Sequence, residues 1–380
     1  MTDRHGVQAS PSRREFLGGM AAAGAAVVAS GCQEAVQSPA SSTPVSPAPL
    51  TDLRLIDVHH HFASPGWVKT LKDAGALNNS WDGYSPAKTI ELMDQASIQT
   101  AFASPTTPGV WFRDGYGSNL RGRPAQVSQT MDQVRALTRE MNEFGATMVS
   151  DYPTRFGIFA ALALPDIDGS LREIEYVLDT LKLQGFGIMT SHGSHWLGDP
   201  IYTPVFEELN RRRTIIYTHP TAAPCCRELI PGIGETTIEY GTDTARAIAS
   251  WILSGAAERF PDIRWIHSHG GGTMSGMTGR LLGSDVQYLR GEAPPGSRLH
   301  YLRQYYYDTR HSDNWAAAAA LKRMVGASQI MFGYFDIPRE GAMFDGPQEF
   351  QKMVDTEEFT EAELRGIARE NAVKLFPGYA

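Results

Sequence analysis

Three histidines stand in a row in the stretch Asp57-Val58-His59-His60-His61, which follows a short apolar run. Alternation along an extended chain sends His59 and His61 to one side and His60 to the other. Two imidazoles on one face make a pair of nitrogen ligands for a divalent ion. Polar residues at the ends of later runs extend the set: Thr218-His219-Pro220, His267-Ser268-His269 with Gly270, Gly271 and Gly272 after it, and Gly333-Tyr334-Phe335-Asp336. His59, His61, His219 and the Asp336 carboxylate would hold one metal and leave a position open for water or substrate, as a catalytic site does. By alternation His267 and His269 share a strand face, so either reaches the site. The glycines favour His269, because they let the backbone pass close to a ligand. Three nitrogens and one carboxylate suit Zn²⁺. Cys225 and Cys226, on the segment after His219, are candidate soft ligands.

These residues need a frame that brings distant parts of the chain together. From Leu53 onward the sequence alternates short β-branched and aromatic runs with longer segments of helical period. The runs are Leu53–Val58, Ile98–Ala103, Phe156–Leu162, Gly185–Thr190, Thr214–Thr218, Ile263–Ser268, Gln304–Asp308 and Gln329–Gly333. Helical segments are expected over 86–97, 125–149, 168–183, 203–212, 242–259, 274–290, 313–326 and Thr360–Leu375. Eight strands alternating with helices predict a single (β/α)₈ barrel of the TIM type. No Gly-x-Gly-x-x-Gly follows the first run, against a dinucleotide-binding sheet. In such a barrel the reactive residues gather at the C-terminal ends of the strands, where the first, fifth, sixth and eighth runs carry theirs.

Composition bounds the partners. The 380 residues carry 34 Lys and Arg against 42 Asp and Glu, a net charge of −8, with no basic run. That excludes a phosphate-backbone footprint, and nucleic acid is not expected as a partner. Three cysteines make no disulfide framework, and the adjacent Cys225 and Cys226 could bridge only through a strained ring. Residues 1–31 contain Ser12-Arg13-Arg14-Glu15-Phe16-Leu17-Gly18 and then an Ala- and Gly-rich apolar stretch too short to span a bilayer. They are similar to a twin-arginine export signal. Ala29-Ser30-Gly31-Cys32 resembles the box before a lipid-modified cysteine, and an unlipidated signal cut nearby is the alternative. Either way the chain is expected outside the cytoplasm, periplasmic or lipid-anchored at Cys32 to a membrane facing the periplasm. Residues 32–50, rich in Pro, Ser and Ala, read as a tether, and 51–380 as the barrel domain.

Taken together, Asp57-x-His59-x-His61, Thr218-His219-Pro220, Ser268-His269-Gly270-Gly271-Gly272 and Asn371-Ala372-x-x-Leu375-Phe376 resemble the amidohydrolase superfamily, in its amidohydrolase-related branch. The stretch Pro231–Arg280, with Glu239-Tyr240-Gly241-Thr242-Asp243-Thr244 and Arg259-Phe260-Pro261-Asp262, is similar to the decarboxylases of that branch. Those act on 2-amino-3-carboxymuconate-6-semialdehyde, γ-resorcylate and 6-methylsalicylate. The resemblance, from about Arg54 to Phe376, implies His59, His61 and His219 as metal ligands and Asp336 as a ligand that also moves a proton. It implies His269 as the residue that orients substrate and Arg280 as the arginine that holds a substrate carboxylate, in some members across a subunit boundary. It further implies Mn²⁺ as an alternative to Zn²⁺, and a homo-oligomer.

One departure stands out. The family reads Gly-Ser-Asp or Gly-Thr-Asp at strand eight, and Gly333-Tyr334-Phe335-Asp336 is one residue longer. A bulge must absorb the extra residue if Asp336 is to face the metal. The same site supports decarboxylation of a small aromatic or unsaturated carboxylic acid. It also supports metal-assisted hydrolysis of an ester, lactone or amide, with Asp336 as base and His269 at the oxyanion. The likeness favours decarboxylation, and a metal-binding relative without chemistry is the third reading. Trp67, Trp111, Phe112 and Trp196 are candidate aromatic walls.

Overall fold

The computed structural model describes residues 53–77, 81–111, 129–226, 229–334 and 346–380. Eight parallel strands follow one another around a single sheet: β1 Leu55–His61, β2 Ile98–Ser104, β3 Phe156–Ala160, β4 Gly185–Met189, β5 Ile215–His219, β6 Arg264–His267, β7 Tyr306–Asp308 and β8 Ile330–Met331. Each strand pairs with the next in sequence, and β8 returns to β1 where Val58 N–H donates to Phe332 O at 3.0 Å. This is the expected (β/α)₈ barrel. A two-stranded hairpin, Ser191–His192 with His195–Trp196, stands on the loop after β4.

The helices form where the sequence supplies starts. Ser64 and Ser85 accept from the backbone N–H three residues on, each with proline at the first helical position. Thr130 and Gln133 close a capping box at the head of Met131–Asp151. The helix expected over 274–290 is instead broken into a 3₁₀ segment to Met277, a short helix Thr278–Leu282 and another 3₁₀ segment from Gly283, whose φ of 57° stops propagation. Among the described residues no helix is long and apolar enough to cross a membrane.

Two apolar layers hold the fold. The larger lies between sheet and helices and includes Phe156, Phe186, Phe206, Trp251 and Trp265. The second fills the barrel: Ile56, Val58, Phe102, Phe159, Ile215, Tyr217, Ile266 and Met331 meet Ala372, Leu375 and Phe376 from the C-terminal segment. Phe376 stacks on Phe102 with centroids 4.0 Å apart, and Tyr379 donates its hydroxyl to Phe156 O at 3.1 Å. The C-terminal segment is therefore the floor of the barrel.

The first strand departs from simple alternation. Asp57 is opposite Ala101 and His60 opposite Ala103, so β1 takes three steps where β2 takes two. The extra residue is a β-bulge, and it changes the phase of the strand. Ile56 and Val58 face the barrel interior, and beyond the bulge so do His59 and His61. The inward histidines come from this bulge, and the one expected at strand eight falls outside the described residues.

Candidate metal centre and active site

His59, His61 and His219 come together at the C-terminal mouth of the barrel. One ring nitrogen of each lies within 4.8 Å of the other two, and all three side chains are buried. Ring centroids are 5.0 Å apart for His59 and His61, and 4.6 Å for His61 and His219.

Each Nδ1 is already committed. His59 Nδ1–H donates to Asp308 Oδ2 at 2.7 Å, His61 Nδ1–H meets Ser104 O at 3.3 Å, and His219 Nδ1–H meets Pro220 O at 3.0 Å. An oxygen acceptor at Nδ1 fixes the tautomer and leaves the Nε2 lone pair to face the centre. His61 Nε2 is buried and has no hydrogen-bond partner among the described residues. Burial first, and then the neighbouring His219, hold His59 and His61 well below the ordinary imidazole range, so both rings are neutral, as ligation requires. The donor set fits a divalent cation.

Asp308, at the end of β7, ties the centre together and was not singled out in the sequence. Its Oδ2 accepts from His59 Nδ1 and from the Tyr217 hydroxyl at 2.9 Å, and its Oδ1 accepts from the backbone N–H of His269 at 2.7 Å and of Arg310 at 3.0 Å. Burial pushes its carboxyl up to about 7 against those donors. A second buried carboxylate, Asp57, accepts from His59 N–H at 2.9 Å and Tyr334 N–H at 3.0 Å, joining β1 to the segment after β8.

The sixth strand separates its two histidines. The strand ends at His267, whose ring lies parallel to Trp265 at 5.6 Å and whose Nδ1 meets Thr218 Oγ1 at 3.1 Å, in the layer between sheet and helices. His269 has φ 55°, which turns its ring back over the mouth, 4.7 Å from His59 and 5.8 Å from His219. The alternation that gave both one face fails because His269 lies beyond the strand. The glycines mark the turn: Gly270, Gly271 and Gly272 all have positive φ, and a Cβ on Gly272 would lie 1.9 Å from Gly241 O.

Other expected residues are distributed as follows. Asp336 lies outside the described residues, as does Phe112. Arg280 is exposed on the helix Thr278–Leu282 and makes no contact with the histidines among the described residues. Cys225 and Cys226 are joined to each other as a disulfide, which removes both thiols as ligands. Trp67 is fully buried with its Nε1–H on Gly109 O at 2.7 Å, and Trp196 Nε1–H is held by Asp243 Oδ1 at 2.7 Å, so both are packing residues. Trp111 lines a small cavity with Pro105, Met189 and His192, and Met189 is opposite His219 in the β4–β5 register.

Comparison with known proteins places the chain in a family and its fold among solved structures. The family model described as amidohydrolase matches residues 56–378. The decarboxylase yanB of Aspergillus niger is 30% identical over 344 residues, covering 85% of this chain and 88% of that one. The 6-methylsalicylic acid decarboxylase of Penicillium expansum is 28% identical over 339 residues, covering 85% and 96%. Among solved structures, the dihydroxybenzoic acid decarboxylase of Polaromonas with bound manganese and the inhibitor 2-nitroresorcinol superposes with a TM-score of 0.65 at 20% identity, covering 85% of this chain and 96% of that one.

Proposed function

This chain belongs to the amidohydrolase family, and on that premise we propose that it is a metal-dependent decarboxylase of a small aromatic carboxylic acid. The observation that carries the reading is the set of three buried imidazoles, each with Nδ1 anchored on oxygen, in a chain whose 30%-identical relative is a decarboxylase. We assign His59, His61 and His219, with Asp336, as the ligands, and Zn²⁺ as the metal on the strength of three nitrogens and one carboxylate.

Bound there, a divalent ion supplies Lewis acidity and a fixed point for a substrate oxygen. The chain's own residues do the rest. His269 has Nδ1 taken by Ser268 Oγ at 3.1 Å, which leaves Nε2 to orient the substrate. Asp336 gives a proton to the ring carbon that bears the carboxylate. The carbon–carbon bond then breaks, its electron pair restores the aromatic ring, and CO₂ leaves. Arg280, exposed on its helix, serves the substrate carboxylate from a neighbouring subunit of a homo-oligomer, a reading supported by exposed apolar side chains at Leu229, Ile230, Ile233 and Ile238. The Arg13-Arg14 segment and Cys32 support export by the twin-arginine route and lipid attachment facing the periplasm.

The test is metal content of the purified chain, wild type beside His219→Ala and Asp336→Ala, followed by CO₂ release from 6-methylsalicylate and 2,6-dihydroxybenzoate. About one metal per chain, lost in His219→Ala, and CO₂ release abolished in Asp336→Ala would support the reading. Full metal with lactone or ester hydrolysis instead of CO₂ would replace it by a hydrolase, and a chain that binds no metal would overturn the ligand set. Labelling with a radioactive fatty acid, abolished in Cys32→Ser, tests the anchor.

A further inference from the structure

We infer that the small cavity at the ends of β2, β3 and β4 receives a ring hydroxyl of the substrate, bound by the imidazole of His192, and so selects an aromatic acid with a second ortho hydroxyl. This rests on the decarboxylase reading and deepens it by naming a substituent that the site recognises.

The cavity borders the metal centre. Pro105 after β2, Leu162 after β3 and Met189 at the end of β4 supply walls, and Trp111 and His192 complete them. The strands that carry the ligands flank this arc. His61 is opposite Ser104, the residue before Pro105, and His219 is opposite Met189. Paired strands lie about 4.8 Å apart, so the cavity wall begins one strand spacing from each of the two ligand positions. The Thr107 hydroxyl, donating to Pro220 O at 2.6 Å, ties the segment after β2 to the residue after His219. On the other side of the centre the stacked rings of His269 and His311, 5.3 Å apart, occupy the mouth beyond β6 and β7.

His192 is held in register with His219. Thr190 N–H donates to His219 O at 3.0 Å, and Thr221 N–H donates to Thr190 Oγ1 at 3.1 Å. The buried Asp243 then fixes the hairpin that carries His192, accepting from Ser191 Oγ at 3.0 Å and from Trp196 Nε1 at 2.7 Å. A substituent placed in the cavity therefore meets a preformed wall.

Size and polarity define the occupant. The free volume is about 20 Å³, by the measure in which one water needs about 10–15 Å³. One small group fits. No charged side chain lines the cavity among the described residues, so the group is neutral. His192 Nδ1 is buried and has no hydrogen-bond partner among the described residues, a state that costs about 1–3 kcal/mol. A hydroxyl both donates and accepts, so it satisfies that nitrogen in either tautomer. A methyl would fill the same volume and leave the nitrogen unsatisfied. A benzoate has two positions beside its carboxylate: with the carboxylate and one ortho hydroxyl at the centre, the second ortho position is the one left to meet a neighbouring wall.

The experiment uses the full chain loaded with Zn²⁺ or Mn²⁺, comparing wild type, His192→Leu and His192→Asn at matched metal content. Calorimetric titration with 2,6-dihydroxybenzoate and with 6-methylsalicylate, which differ by hydroxyl against methyl at one ortho position, gives two dissociation constants per protein. Their ratio is compared between proteins, so that intrinsic differences between the two acids cancel. In His192→Leu the preference for the dihydroxy acid should fall by about 2- to 12-fold, the value of one neutral hydrogen bond. His192→Asn, which keeps a donor and an acceptor, should stay nearer to wild type. A ratio unchanged from wild type in both variants overturns the inference, and so does a wild type that binds the methyl acid more tightly than the dihydroxy acid. A wild type that binds both acids without releasing CO₂ defeats the decarboxylase reading alone, and the ratio still decides His192. A wild type that binds neither acid defeats both.

Discussion

Replacing Asp308 with asparagine should damage the metal centre without opening a cavity. Each carboxylate oxygen accepts from two donors: Oδ2 from His59 Nδ1–H and the Tyr217 hydroxyl, Oδ1 from the backbone N–H groups of His269 and Arg310. An asparagine of the same shape has one oxygen and one NH₂, so either rotamer sets an NH₂ against a pair of donors. With the NH₂ facing His59, the imidazole must move its proton to Nε2 to accept at Nδ1, and a protonated Nε2 cannot ligate. With the amide reversed, two backbone donors are orphaned at about 1–3 kcal/mol each, partly offset by removal of a buried charge. Loss of the partner that orients a ligating histidine costs about 10- to 100-fold in metal affinity, or about 1.4–2.8 kcal/mol. Competition with a chromophoric chelator measures that affinity directly, and thermal unfolding of the metal-free protein measures the rest. Metal affinity within twofold of wild type together with an unchanged Tm would refute the argument that Asp308 orients His59.

Three further outcomes follow from the packing. Gly333→Ala places a Cβ 2.7 Å from Asp308 Cβ and 2.8 Å from His59 Cβ. It should lower stability by about 1–3 kcal/mol and weaken metal binding, read by urea titration with and without metal. Phe376→Ala, which removes the ring stacked 4.0 Å from Phe102, should cost about 3–5 kcal/mol by the same titration. Burial pushes His192 and His267 down to about 3, below the ordinary unfolded value near 6.5. The unfolded chain then binds the extra protons, so stability is full above about pH 6.5 and falls as the pH drops towards 3. His267→Gln should flatten that fall, and urea midpoints at pH 7 and pH 5 check it.

The periodicity of the chain was enough for the barrel and for the mouth where its polar residues collect. His59, His61 and His219 could be read because they end runs whose neighbours are unmistakably apolar. Asp308 could not, because Tyr306-Tyr307-Asp308 looks like any strand end and its importance lies in four contacts from residues 2 to 249 positions away. The signal available was only its place at a strand's C-terminal end. The phase of β1 was hidden for a different reason: Ile56, Val58, His59 and His61 all face inward only because a bulge inserts a step, and alternation carries no mark of a bulge. The shared face expected for His267 and His269 failed because the strand ends at His267 and His269 itself takes a positive φ, although the preference for His269 at the mouth agrees with its place beside His59. The disulfide between Cys225 and Cys226 depends on a local 3₁₀ turn, Pro224–Cys226, that composition does not announce.

The floor of the barrel bears on how the protein is made. The first strand is synthesised at the start of the domain, yet its inner face packs on Phe376 and its edge pairs with the residue after β8. At 5–20 residues per second, roughly 15–60 s separate the emergence of His59 from that of Phe376. For that interval the strand-one histidines, joined midway by His219, exist without the lining that orients them, and a nascent chain offers metal nothing better than unanchored imidazoles. Loading is thus a late event, coupled to closure of the ring, and a ribosome stalled before the floor emerges holds a chain with its ligands but no centre.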